Sequence, residues 1–205
     1  MGCGHTEEKN EIEPDQLMVT SNKKIENNNN NYENSENKKD ILTMKPKDKS
    51  KIKKFITDAL KTHNDLREKH GVKPLKISED LNQIAQKYAE HLAKINKIEL
   101  SNNIYKNEYL GENLFCCSGN EIQGEAMTMS WYNEINKYNF NNPGFSIDAG
   151  HFTQIVWKDT KEVGFGFAKS KNGIYYGVAN YFPTGNINNK QDFNNNVLQK
   201  LYKLQ

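Results

Sequence analysis

The sequence predicts an α+β domain over residues 51–197, with helices packed on a central antiparallel sheet, behind an Asn-rich arm. Three observations carry that prediction. Apolar residues recur at helical spacing in the first half of the span. Two β-branched and aromatic runs, joined by a turn signal, close the second half. Helices first and a hairpin last favour helices covering an antiparallel sheet. The bulk numbers agree with a chain folded only in part. Its 205 residues are 35% hydrophobic, with a mean hydropathy of −0.92, low for a wholly globular protein.

The first helix is expected from about Ser50 to His70. Ile52, Phe55, Ile56, Ala59, Leu60, His63 and Leu66 form one face, and Gly71 supplies the stop. The second starts at Ser78, an N-cap followed by Glu79 and Asp80, and fades between Ile95 and Ile98. A loop over Leu100–Tyr109 leads to a strand over Gly111–Cys116. A third helix is expected from Glu121 to Tyr138, with a short helix near His151. Strands over Val163–Ala168 and Ile174–Phe182 flank the turn signal Lys171-Asn172-Gly173.

Residues 7–50 are dominated by Asn, Lys, Glu and Asp, with the run Asn27–Asn31, and read as a disordered arm; 198–205 read as a tail. Residues 1–6, Met1-Gly2-Cys3-Gly4-His5-Thr6, fit an N-myristoylation pattern on Gly2, and Cys3 beside it suits palmitoylation. Two chains anchor stably where one binds only marginally. Glu7 and Glu8 follow directly and are unfavourable near anionic lipid. No run is long and apolar enough to span a bilayer, and no apolar signal-peptide core opens the chain. A formal net charge of +2 leaves no nucleic-acid footprint. Three cysteines (Cys3, Cys116, Cys117) give no disulfide framework, which favours a reducing compartment.

Gly150-His151-Phe152-Thr153-Gln154-Ile155-Val156-Trp157 resembles the main signature of the cysteine-rich secretory, antigen 5 and pathogenesis-related (CAP, or SCP-domain) superfamily. Val178–Ile187 resembles its second signature, departing at Asn180, where secreted members usually carry cysteine. His63-Asn64 with Arg67, Gly111-Glu112-Asn113-Leu114 and Trp131–Ile135 follow the family's order. Tyr138-Asn139-Phe140 and Pro143-Gly144-Phe145 are similar to a Golgi-associated subgroup. The resemblance implies an α-β-α sandwich with a central cleft. It also implies that two histidines and two glutamates line that cleft, binding a divalent metal in some members.

Carried over by position, the cleft residues are Ser101, Glu112, Glu134 and His151. Ser101 stands where the family has its other histidine. Serine is a poor zinc ligand, so at most a weak divalent site is expected at Glu112, Glu134 and His151. His151 reads as an imidazole bonded to Glu112 or Glu134, with metal ligation and catalysis as alternatives. The two carboxylates, if close, would share a proton or cation. Swinging His91 into the cleft is a remote substitute for the missing ligand. His63, with Asn64 and Arg67, reads as packing and hydrogen bonding. Thr153 and Gln154 are candidates to polarise a bound group. Trp157, Tyr181 and Phe182 read as core, or as a wall for a lipid tail. Of Cys116 and Cys117, one is expected against the core and one partly exposed.

The expected function is that of a non-enzymatic module, lipid-anchored at the cytosolic face of Golgi or plasma membrane. The resemblance implies sterol or acidic phospholipid partners and homodimers. A metal-dependent hydrolase and an effector secreted by a non-classical route are the alternatives, the latter extracellular.

Overall fold

The computed structural model describes residues 46–187 and 189–201. The lipidation motif and nearly all of the arm lie outside them. Helix α1 (Pro46–Lys69) begins four residues ahead of the expected start. Proline suits the first helical position, where its missing N–H has no partner to lose. Phe55, Ala59, His63, Leu66 and Arg67 form its buried stripe. The helix ends where Gly71 takes a φ of 67°, with Val72 N–H donating to Arg67 O and Gly71 N–H to Glu68 O. That pairing satisfies the last carbonyls and turns the chain.

Strand β1 (Lys76–Ile77) is short, and Ser78 then caps α2 (Glu79–Ile95) by accepting from Leu81 N. After a two-stranded hairpin, β2 (Ile104–Tyr105) and β3 (Glu108–Tyr109), comes β4 (Gly111–Cys117). The expected third helix is divided: α3 (Gly124–Tyr132) passes into a 3₁₀ turn over Asn133–Lys137. Helix α4 (Gly150–Val156), β5 (Glu162–Lys169), β6 (Tyr175–Phe182) and α5 (Lys190–Asn196) complete the order.

The sheet runs β1-β5-β6-β4. Its three long strands are antiparallel, as expected, but β1 joins β5 in parallel, so the sheet is mixed. β1 covers only Glu162 and Val163 of that edge. Beyond it α2 takes over: Asn82 Oδ1 accepts from Phe165 N–H (2.8 Å), and the Gln86 amide both accepts from and donates to the main chain of Phe167 (3.1 and 3.0 Å). Side-chain amides thus close an edge that would otherwise invite pairing. The helix comes this near because β5 reads Gly164-Phe165-Gly166. A Cβ on either glycine would lie within 2.5 Å of α2 backbone.

Ala85, Ala89 and Leu92 of α2 pack with Leu114, Tyr176 and Val178 on one face of the sheet. The other face is covered by α1, α3, α4 and α5, through Phe55, Leu66, Trp131, Phe152, Trp157 and Phe193. The result is the expected α-β-α sandwich. The chain after 197 is not a loose end as far as 201: Leu201 N–H donates to Lys69 O (2.8 Å) and the Leu201 side chain rests on Gly71.

Three buried cations or potential cations sit on α1 or directly after it. Arg67 donates from Nε to Lys73 O (2.9 Å), from Nη1 to Ile155 O and Trp157 O (2.8 Å each), and from Nη2 to Thr160 O (3.1 Å). Burial lowers its pKa to about 10, so it stays charged at neutral pH. His63 donates from Nδ1 to Ala59 O (2.8 Å) and accepts at Nε2 from Tyr181 O–H (2.8 Å). His70 repeats the arrangement with Leu198 O (2.6 Å) and Tyr132 O–H (2.9 Å). Burial lowers both histidine pKa values, that of His63 to about 3.

Replacing Arg67 with Leu strips four carbonyls of their donor and is expected to cost about 3–5 kcal/mol in urea unfolding. Arg67→Lys should recover only part of this, because an ammonium cannot reach the same fork of acceptors. The histidines predict acid sensitivity of known sign. Their folded pKa values lie below the unfolded 6.5, so the stability they contribute is complete above pH 6.5 and drains as pH falls. Unfolding free energy should drop below pH 6.5, with His63 contributing a slope approaching about 1.4 kcal/mol per pH unit and His70 adding to it in the same direction. His63→Gln should lower stability at pH 7.5 yet flatten that slope.

Candidate functional site

The segments bearing Glu112, Glu134 and His151 do come together. Asn113 of β4 donates from Nδ2 to His151 O (3.1 Å), and His151 Nδ1 meets Glu134 Oε1 at 2.6 Å. Their polar groups, however, form two units rather than one ligand set.

The first unit is Glu134 with His151. The 3₁₀ turn after α3 lays the Glu134 carboxylate over the start of α4. There Oε2 also accepts from His151 N–H (2.9 Å) and Phe152 N–H (3.3 Å). These amides are orphan donors of the first helical turn, and Ala149 at the cap position offers no side chain for them. A carboxylate also suits the positive end of a helix. The imidazole stacks on Trp131 with ring centroids 5.9 Å apart and planes 17° from parallel. Trp131 is itself pinned by its Nε1–H to Leu114 O (2.9 Å). With Nδ1–H given to Glu134, the nitrogen left as acceptor in a neutral ring is Nε2, which bonds to no described residue. Both side chains remain about 20% exposed.

The second unit is Glu112 with Ser101 and Asn180. Side chains alternate along a strand. Glu112 and Leu114 therefore take the α2 side of β4, and Asn113 takes the α1 side. Glu112 Oε1 accepts from Ser101 N–H (2.7 Å), and Oε2 accepts from Ser101 O–H (2.7 Å) and Asn180 Nδ2 (3.0 Å). Asn180 lies opposite Glu112 in the β4–β6 register. Burial pushes the Glu112 pKa up, and the two Ser101 bonds and the Asn180 bond oppose it. Ser101 and Asn180, at which the sequence departs from the motifs it resembles, both donate to this carboxylate.

Several expectations need correction. The Glu112 and Glu134 carboxylates are each bonded to a separate set of donors. The weak metal site at Glu112, Glu134 and His151 is not assembled: among the described residues no three His, Cys, Asp or Glu side chains are grouped to hold an ion. One imidazole nitrogen beside a carboxylate already holding three donors is a poor fit for zinc. His91 stacks on Tyr88 and faces Glu99 at 4.0 Å, so it does not replace the missing histidine. Thr153 and Gln154 have partners within the protein. Thr153 O–H bonds to Asn186 Oδ1 (2.7 Å), and Gln154 bridges Thr160 Oγ1 (3.2 Å) and Gly185 N–H (3.0 Å). Trp157 and Tyr181 are core, as expected, while Phe182 is only half-buried, beside Tyr105. Cys116 is exposed and Cys117 half-buried, with thiol pKa values raised by burial.

Sequence reasoning missed the wire behind His151. Asn113 Nδ2 also donates to Tyr181 Oη (3.2 Å), and the Tyr181 hydroxyl donates in turn to His63 Nε2. The only signal was Asn113 inside the Gly111–Leu114 match.

Comparison with known proteins fits this geometry. Residues 60–182 match the cysteine-rich secretory protein (CAP) family profile. The chain is 44% identical over 150 residues to human Golgi-associated plant pathogenesis-related protein 1, covering 73% of this chain and 96% of that protein. It is 32% identical over 136 residues to Pathogenesis-related protein 1 of Arabidopsis thaliana, covering 66% and 81% respectively. The crystal structure of NaASP2 with Zn2+ superposes with a TM-score of 0.52 at 22% identity, covering 70% of this chain and 84% of that one, and shows the shared fold. The chain therefore belongs to the cysteine-rich secretory protein (CAP) family.

Proposed function

We propose that this protein is a non-catalytic CAP module held at the cytosolic face of Golgi or plasma membranes by acyl chains on Gly2 and Cys3. There it binds lipid or protein surfaces, as a monomer or homodimer. The observation that supports the non-catalytic part is the engagement of both Glu112 oxygens by protein donors. Three donors from Ser101 and Asn180 occupy the carboxylate that would otherwise act as ligand, acid or base. No hydroxyl or thiol beside a free base is formed at this site to serve as nucleophile. The location rests on the Gly2-Cys3 sequence and on likeness to a human protein named for its Golgi association. Sterols or acidic phospholipids are the lipid classes this reading favours.

A second reading, a metal-dependent hydrolase, has one observation in its favour. Glu134 orients the His151 ring and leaves Nε2 without a protein partner, the arrangement that suits a metal-ligating or basic imidazole.

Two experiments separate these readings. In cells fed an alkyne myristate analogue, the wild type should be labelled and sediment with membranes. Gly2→Ala should lose the label and become soluble, and Cys3→Ser should keep the label but sediment weakly. An unlabelled wild type that salt alone releases would remove the anchor. In calorimetric titration, Ser101→His should bind zinc about 10-fold or more tightly than wild type, since it frees Glu112 and adds an imidazole. Tight zinc binding by the wild type, abolished by His151→Ala, would reverse the assignment in favour of the hydrolase.

A further inference from the structure

Helix α2 stops at Ile95, while β5 and β6 run on to their turn around Gly173. The overhang leaves an open depression of about 430 Å³ between the last turn of α2 and residues 168–172. Ala93 and Ala168 are among its lining residues. So are Lys94, Lys169 and Lys171, against the single acidic residue Glu90, whose carboxylate already accepts from Gln86 Nε2 (2.8 Å). Lys169 Nζ rests over the Tyr175 ring, 4.8 Å from its centroid. Among the described residues, neither Lys94 nor Lys171 has a carboxylate within ion-pair distance.

The same chain carries a complementary segment. Between positions 7 and 15 lie Glu7, Glu8, Glu11, Glu13 and Asp15, with Lys9 as the only base. From 16 to 45 the signs nearly balance, so the acidity ahead of the domain is concentrated in this one stretch. Those 30 intervening residues reach about 100 Å when extended. A domain of this size has a radius of gyration of about 15 Å, so any part of its surface is within reach.

We propose that the lysine-rimmed depression at the end of α2 docks the acidic segment 7–15 of its own chain. Exposed ion pairs are individually weak and salt-sensitive. Tethering makes the encounter intramolecular, at an effective concentration in the millimolar range, so weak pairing suffices. The contact brings Gly2 and Cys3 to the domain surface. It also sequesters carboxylates that would otherwise repel an anionic membrane. It holds whether or not the N-terminus is acylated.

The test uses the full-length, unacylated chain with Cys116→Ser and Cys117→Ser and a nitroxide on Cys3. At low ionic strength, amide resonances of residues 93–96 and 168–172 should lose intensity while those of α3 keep theirs. Changing Lys94, Lys169 and Lys171 to Glu should restore the intensity. Adding Glu7→Lys, Glu8→Lys, Glu11→Lys and Glu13→Lys to that variant should bring the loss back. No loss at low salt, loss spread evenly over the domain, or loss that survives the lysine reversal overturns the proposal. So do shifts of these amides on adding inorganic phosphate or phosphatidylserine vesicles when the spin label has no effect, since they assign the depression to another anion. Because the chain is unacylated throughout, the outcome does not depend on the lipid anchor.

Discussion

The guanidinium of Arg67 is the interaction on which the arrangement of the site depends. It lies fully buried with no carboxylate partner, and it satisfies its donors on the carbonyls of Lys73, Ile155, Trp157 and Thr160. Two of those carbonyls belong to the end of α4, the helix that opens with His151. At seven residues α4 is far too short to persist alone. It is held by a charge of the favourable sign at each end, the Glu134 carboxylate on its first amides and the Arg67 cation on its last carbonyls. The orientation of His151 is therefore a consequence of α1, two layers of contacts away, as much as of its immediate neighbour.

This support gives the cleft its division of labour. His151 is fixed through Nδ1 by Glu134, through its ring by Trp131, and through its carbonyl by Asn113. Asn113 in turn reads back through Tyr181 to His63. Each hydrogen in that wire has one consistent assignment, from Asn113 to Tyr181 to His63 to Ala59 O, and it requires His63 to be neutral. The depressed His63 pKa follows from the same burial. Glu112, on the opposite side of β4, is held by an independent set of donors. Within this arrangement His151 Nε2 is the imidazole nitrogen that bonds to no described residue.

Much of the fold was legible because local signals and tertiary packing agree. Ser78 caps α2 where the sequence placed it, the three long strands of the sheet fall within one residue of expectation, and Gly71 ends α1, whereas the two-residue β1 carried no signal of its own. The failures share a cause, in that tertiary partners replaced the usual local signal. The β2–β3 hairpin turns on Lys106 and Asn107, both with positive φ. That pair lacks the Asn-Gly signature and read as loop. Helix α5 was hidden in an Asn-rich tail, although Phe193 packs edge-on against Trp157 at 5.0 Å. Position 101 is the most instructive case. The resemblance implied a histidine where this chain has serine, and the structure shows Ser101 supplying two bonds to the Glu112 carboxylate.

Asparagine itself carries two meanings in this chain. In the arm it forms a low-complexity run. Inside the domain it is the preferred neutral bridge: Asn64 both donates to and accepts from Leu75 main chain, Asn82 closes an edge of the sheet, and Asn196 accepts from Asp159 N–H. An aspartate at any of these buried or part-buried positions would keep the geometry but add a charge with no partner, at a cost of several kcal/mol. At position 180 the argument is sharper. A carboxamide there donates to Glu112 without changing the charge of the unit. A carboxylate would set two like charges 3 Å apart, and a lysine would make a buried ion pair whose desolvation offsets its attraction. Asparagine lets Glu112 remain in the core as a structural acceptor, which is the role the rest of the site leaves for it.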